Sequence, residues 1–118
     1  MPLTRVNTGL ITGRSTSITS GSTITPTGGT VDTYEVTALA TAATVAAPSG
    51  TPQANQKLLL KIKDNGTAQA LTWTTSAGGY RAVEVTLPAT TVVNKVLYVG
   101  CIYNSTDGYW DVLAIGQL

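Results

Sequence analysis

The chain predicts an all-β fold: an antiparallel sandwich or jelly roll, preceded by an extended N-terminal arm. Three observations lead there. Short apolar and β-branched runs alternate with the turn clusters APSGTPQAN, DNG, SAGG, LPATT and NSTDG, the spacing of an antiparallel sandwich or a small barrel. No segment carries a capped apolar period of 3.6. Charged residues make up 11% of the 118 residues, against about 25% in ordinary soluble domains. Threonine and valine, which suit pleated half-buried surfaces, are frequent instead. So little charge also implies that much of the surface meets other protein.

Taken in order, residues 1–33 read as the arm. They hold no aromatic residue, one acid (Asp32) and two bases (Arg5, Arg14), in a Thr/Ser/Gly majority. A weak repeat, ITGRST, ITSGST and ITPTGG, spaces Ile11, Ile18 and Ile24. That composition is too poor in bulky apolar groups to fold alone. Leu3, Val6, Leu10, Ile11, Ile18 and Ile24 are therefore expected to order only against neighbouring subunits. Residues 34–118 read as the β-domain. With Thr33 joined on, the expected strands are Thr33–Leu39, Ala42–Ala47, Lys57–Lys63, Ala68–Thr75, Tyr80–Leu87, Val92–Tyr103 and Tyr109–Ile115. Ala38–Ala47 is alanine-rich, but its Thr and Val content and the following Pro48-Ser49-Gly50 favour strand.

Two hairpins can be registered. Asn65-Gly66 within IKDNGTAQALTW is a strong two-residue hairpin signal. Counting outward, Leu60 faces Leu71 and Leu58 faces Trp73 on one face, with Lys61 and Lys63 on the other. In YVGCIYNSTDGYWDVLAI a four-residue loop with Asp107 and Gly108 sets Tyr103 opposite Trp110, Cys101 opposite Val112 and Val99 opposite Ala114. A bulge at Gly108 would shift that register. Leu58, Leu60, Leu71, Trp73, Tyr103 and Trp110 are the expected core anchors.

Chemistry is sparse. Histidine is absent and Cys101 is the single cysteine, which removes the commonest general base, a zinc cluster and an intrachain disulfide. Cys101 lies in an apolar strand pattern and reads as core. The acids are Asp32, Glu35, Asp64, Glu84, Asp107 and Asp111. Asp64 and Asp107 sit in turns, where such side chains cap backbone amides. Glu35 and Glu84 are expected to face outward. Asp107 and Asp111 do not form a calcium-loop pattern. The Ser and Thr residues have no base beside them in the sequence. The pairs Gly28-Gly29 and Gly78-Gly79 lack the lysine and helix of a phosphate loop. Asn65-Gly66-Thr67 and Asn104-Ser105-Thr106 fit glycosylation sites and ordinary turns alike, and no secretory signal accompanies them. A net charge of +1 and scattered bases argue against nucleic acid and anionic membrane as partners. No apolar run reaches the length of a spanning helix. The expectation is a non-enzymatic protein without cofactor or metal.

The blocks IKDNGTAQALTW, GGYRAVEVTLP and YVGCIYNSTDGYWDV, in that order within Lys57–Gln117, resemble a β-rich module of tailed-bacteriophage virion proteins. The likeness covers about half the chain, and the opening MPLTRVN also resembles starts of phage tail proteins. The resemblance implies a structural protein of the virion, made in the host bacterial cytoplasm. A fibre needs a long shaft, and only 33 residues of arm precede the domain. The favoured expectation is therefore a capsid decoration, or cement, protein on the head. The resemblance further implies a homotrimer bound to the major capsid protein. The alternative is a tail-fibre tip recognising a host glycan, for which Tyr80, Tyr103, Tyr109 and Trp110 would form the sugar platform.

Overall fold

A computed structural model describes residues 14–117. Nine strands run through them: β1 (Ser15–Ile18), β2 (Thr23–Ile24), β3 (Thr33–Leu39), β4 (Ala43–Val45), β5 (Lys57–Asp64), β6 (Leu71–Trp73), β7 (Tyr80–Ala82), β8 (Val96–Asn104) and β9 (Tyr109–Gln117). No helix occurs among the described residues. A six-stranded sheet has the order β1-β3-β5-β8-β9-β7, and a three-stranded sheet the order β2-β4-β6.

The first six strands alternate between the two sheets, and each stacks parallel on the strand two before it. The chain thus winds as three stacked turns, β1-β2, β3-β4 and β5-β6. It then closes antiparallel, with β8 on β5 and β9 on β8, while β7 lies parallel on the far edge of β9. The strand-rich class follows the sequence; the antiparallel pairing does not, because the large sheet is mixed and the small one parallel.

The expected Asn65-Gly66 hairpin is where the pairing departs. Both edges of β5 are taken, by β3 and by β8, and β6 belongs to the other sheet. Leu58 and Leu60 pair with Cys101 and Val99, not with Trp73 and Leu71. Asn65-Gly66 is still a turn, with Gly66 at φ 105°, but it carries the chain across to the second sheet. The Asp64 carboxylate sets that exit. It accepts from the Gly66 amide (3.0 Å), the Asn94 amide (3.0 Å) and the Thr91 hydroxyl (2.8 Å). The second hairpin forms with Tyr103 opposite Trp110 and Cys101 opposite Val112. Its irregularity lies at Leu113 rather than Gly108, so Val99 faces Ile115 and not Ala114.

The period of two aligns inward rows across the large sheet: Tyr34, Leu60 and Val99 in one, Val36, Ile62 and Leu97 in the next. Ile24, Val45 and Leu71 enter from the small sheet, and all belong to one core. The sequence drew a boundary at 33/34, but β1 and β2 fall before it and pair with β3 and β4. Ile24 is 1% exposed and Ile18 packs against the same core. These isoleucines meet their own chain because each short strand inherits a template from the turn stacked on it. Leu3, Val6, Leu10 and Ile11 lie outside the described residues.

The connectors stack as well. The Ser49 amide donates to the Pro26 carbonyl at 2.8 Å, and the Gln56 side-chain amide donates to the Gly28 carbonyl. A Cβ at Gly28 would sit 2.7 Å from Pro48 Cβ and 3.0 Å from Trp110 Cζ2. Gly28→Ala should therefore overpack the junction and cost about 1–3 kcal/mol in urea denaturation. A loss under about 0.5 kcal/mol would show that the connectors do not press on Trp110.

Candidate interaction surface

The residues singled out by sequence for the core are mostly there. Leu58, Leu60, Leu71 and Trp110 are buried, while Trp73 and Tyr103 are half-buried. Trp73 stands edge-on to Tyr80 (centroids 5.2 Å apart, 86° between planes) and its indole donates to the Pro88 carbonyl at 2.7 Å. Tyr103 lies tilted against Trp110, at 5.2 Å. Tyr80 is wholly buried and Trp110 almost so. Those two therefore do not join Tyr103 and Tyr109 in an exposed aromatic platform.

Asp32, Glu35, Asp64, Asp107 and Asp111 are engaged structurally, while Glu84 is exposed. The Asn104 side-chain oxygen accepts from the Thr106 and Asp107 amides and shapes the β8–β9 turn. Asn104 also donates to Asp107 and Asp111. Arg81 bridges Asp111 (2.7 Å) and Asp107 (2.9 Å) and lies over the Tyr109 ring, 5.1 Å from its centroid. Arg81 first, then Asn104, holds the Asp111 carboxyl below the usual carboxylate range, against partial desolvation. Cys101 is buried, and burial pushes its thiol up to about 12, which keeps it protonated and unreactive at neutral pH. Among the described residues no three of His, Cys, Asp or Glu converge on a metal-sized site.

What remains is a surface. On the outer face of the large sheet, Leu59, Gly100 and Ala114 stand in one cross-strand row, and Lys57 and Ile102 in the next. The irregularity in β9 adds Leu113, 52% exposed. A Cβ at Gly100 would meet nothing closer than Ala114 Cβ at 3.7 Å. The missing side chain leaves a hollow, and these residues with Asp32 line an open groove of about 280 Å³.

Charge flanks this apolar band on both sides and is neutralised within the chain. On one side is the Arg81–Asp111–Asp107 cluster. On the other, Lys61 reaches Glu35 at 3.6 Å and the Tyr98 ring at 5.7 Å. Glu35 does face outward, as its strand position implies. Exposed pairs of this kind add little stability, but they leave few unpaired charges to desolvate when the face is covered. At the groove itself, Lys57 has no ion-pair partner among the described residues.

Sequence reasoning missed this band. The available signal was KLLLKIK: three consecutive leucines in a period-two strand force one, Leu59, to face outward. The groove geometry was not readable, since it needs β5, β8 and β9 side by side. No family model, no curated protein and no solved structure matches the chain.

The Arg81 cluster makes a checkable claim. Because the folded Asp111 carboxyl is held below its unfolded value of about 3.9, its stabilising contribution is complete above that pH. It is lost as pH falls through the folded value. In a carboxyl-detected NMR titration, Asp111 should titrate below the ordinary range, and Arg81→Ala should move it upward. An unchanged Asp111 titration in Arg81→Ala would show that Arg81 is not what holds it down.

Proposed function

We propose that this chain is a non-enzymatic structural protein of a tailed-phage virion. In this reading it is a decoration protein that binds and stabilises the head shell as a homotrimer. One observation carries the reading: the apolar band Leu59–Gly100–Ala114 with Ile102 and Leu113, solvent-facing and bordered by self-neutralised charge. A scaffold whose acids, Glu84 apart, cap turns and hold ion pairs, and whose thiol is buried, has its exposed apolar material to offer a protein surface. Binding repeated at every symmetric site stabilises a shell by mass action. The resemblance of the three β-rich blocks to phage virion modules names the kind of assembly. Two β-layers sharing one core support describing the domain as sandwich-like, with parallel winding in place of jelly-roll pairing.

The band is assigned to contacts between copies of this chain, and the shell is left to other faces. Leu113→Asp tests it. Leu113 is exposed, so its unfolding free energy should change by no more than about 0.5 kcal/mol. The wild-type chain should sediment as a closed trimer at micromolar concentration and the variant as monomer. A wild-type monomer across that range, or a variant trimer of undiminished stability, would overturn the assignment. Absence of the chain from purified virions would overturn the structural role itself.

A further inference from the structure

A head-to-tail ring needs two unlike surfaces, one that receives and one that inserts. The groove over Leu59, Gly100 and Ala114 is the receiving kind. A patch that fills it has to be apolar, exposed, held in a fixed shape and suited to the charge at the groove. That charge is positive. Lys57 is exposed and lines the groove. Asp32 lines it too, but Arg14 takes up its carboxylate: the Arg14 amide donates to Oδ2 at 3.1 Å and the guanidinium to Oδ1 at 2.9 Å.

Outside the groove, the exposed large apolar side chains among the described residues are Val83, Val92 and Val93, at 40%, 42% and 44%. They form two patches of opposite charge. Val92 and Val93 open a turn closed by the Lys95 amide, which donates to the Val92 carbonyl at 2.9 Å, and Lys95 is exposed. Seated on the groove, that turn would bring one ammonium up to another. Val83 is followed by Glu84, also exposed. This patch brings a carboxylate to Lys57, and opposite signs fix register where like signs repel.

The backbone supplies the fixed shape. Glu84 has φ 55°, a left-handed conformation disfavoured for a residue with a Cβ. Such strain persists only where the surroundings impose it. Here the chain is anchored on both sides: the Val83 amide donates to the Val112 carbonyl at 3.0 Å, and Val85 packs against the core. The strained residue therefore presents an exposed valine beside a carboxylate at the end of β7, the edge strand next to β9. We propose that Val83 and Glu84 of one copy seat in the groove of the next, with the Glu84 carboxylate against the Lys57 ammonium. The pairing rests on the assignment of the band to contacts between copies. Each copy gives one patch and receives one, so the contact closes as a ring.

Charge reversal tests it, by sedimentation of the full chain. Lys57→Glu and Glu84→Lys should each raise the concentration at which half the trimer dissociates by at least about tenfold. The double variant should regain most of that loss, because it restores the pair with its ends exchanged. Lys95→Glu should leave dissociation unchanged. Should a variant fail to fold, the wild type decides: a zero-length carbodiimide cross-link should join Glu84 of one copy to Lys57 of the next, identified by mass spectrometry of the dimer band. Single variants that hold the trimer as tightly as wild type, a double variant that recovers nothing, or an absent cross-link would overturn the pairing. A loss in Lys95→Glu as large as in Glu84→Lys would also overturn it, by giving the joint to the Val92 turn. A wild-type monomer is a separate failure, which removes the band's assignment to copies and the pairing with it.

Discussion

A parallel ladder cannot be closed by a tight turn. The chain must leave the sheet, run elsewhere, and return to start again at the same end. That requirement governs this molecule. Proteins commonly meet it with a crossover helix; this chain meets it with a second sheet, so β2, β4 and β6 are the return paths of β1, β3 and β5. Stacking of successive turns then aligns like positions, which produces the inward rows of Tyr34, Leu60 and Val99 and of Val36, Ile62 and Leu97. It also brings connector onto connector, so Gly28 faces Pro48 without room for a side chain.

The same requirement separates what the sequence showed from what it hid. Strand positions were legible because the period of two is local. Thr33–Leu39 was expected and is observed. Pairing was not legible, because an inward Leu60 is equally satisfied opposite Leu71 or between Tyr34 and Val99. The Asn65-Gly66 signal was real as a turn and misleading as a hairpin. Its direction is set by Asp64 bonding to Thr91 and Asn94, far ahead in the chain. Residues 14–33 were misjudged for a related reason. Their Ser/Thr/Gly composition cannot sustain a fold alone, but strands as short as β1 and β2 need only a template, which β3 and β4 provide.

The candidate surface follows from the way the winding ends. β8 and β9 turn antiparallel, bringing Gly100 and Ala114 beside Leu59, and the extra residue in β9 projects Leu113 from the same face. The hollow at Gly100 is thus a product of register, assembled from strands that are distant in sequence. Its flanking charges are spent on one another, which makes the face inexpensive to dehydrate. Where the aromatic residues are concerned, Tyr80 and Trp110 serve the core, so what this face exposes is chiefly shape and apolar area.

The most direct measurement is carbene footprinting of the full chain in its assembled state, read residue by residue. Val92 and Val93, 42% and 44% exposed and away from the groove, give the internal reference for open apolar surface. If the band is covered by protein, Ile102 and Leu113 should label far less than Val92 and Val93, and should recover on dissociation. Equal labelling of all four in the assembly would contradict the account, because the one surface argued to be made for contact would then be facing water.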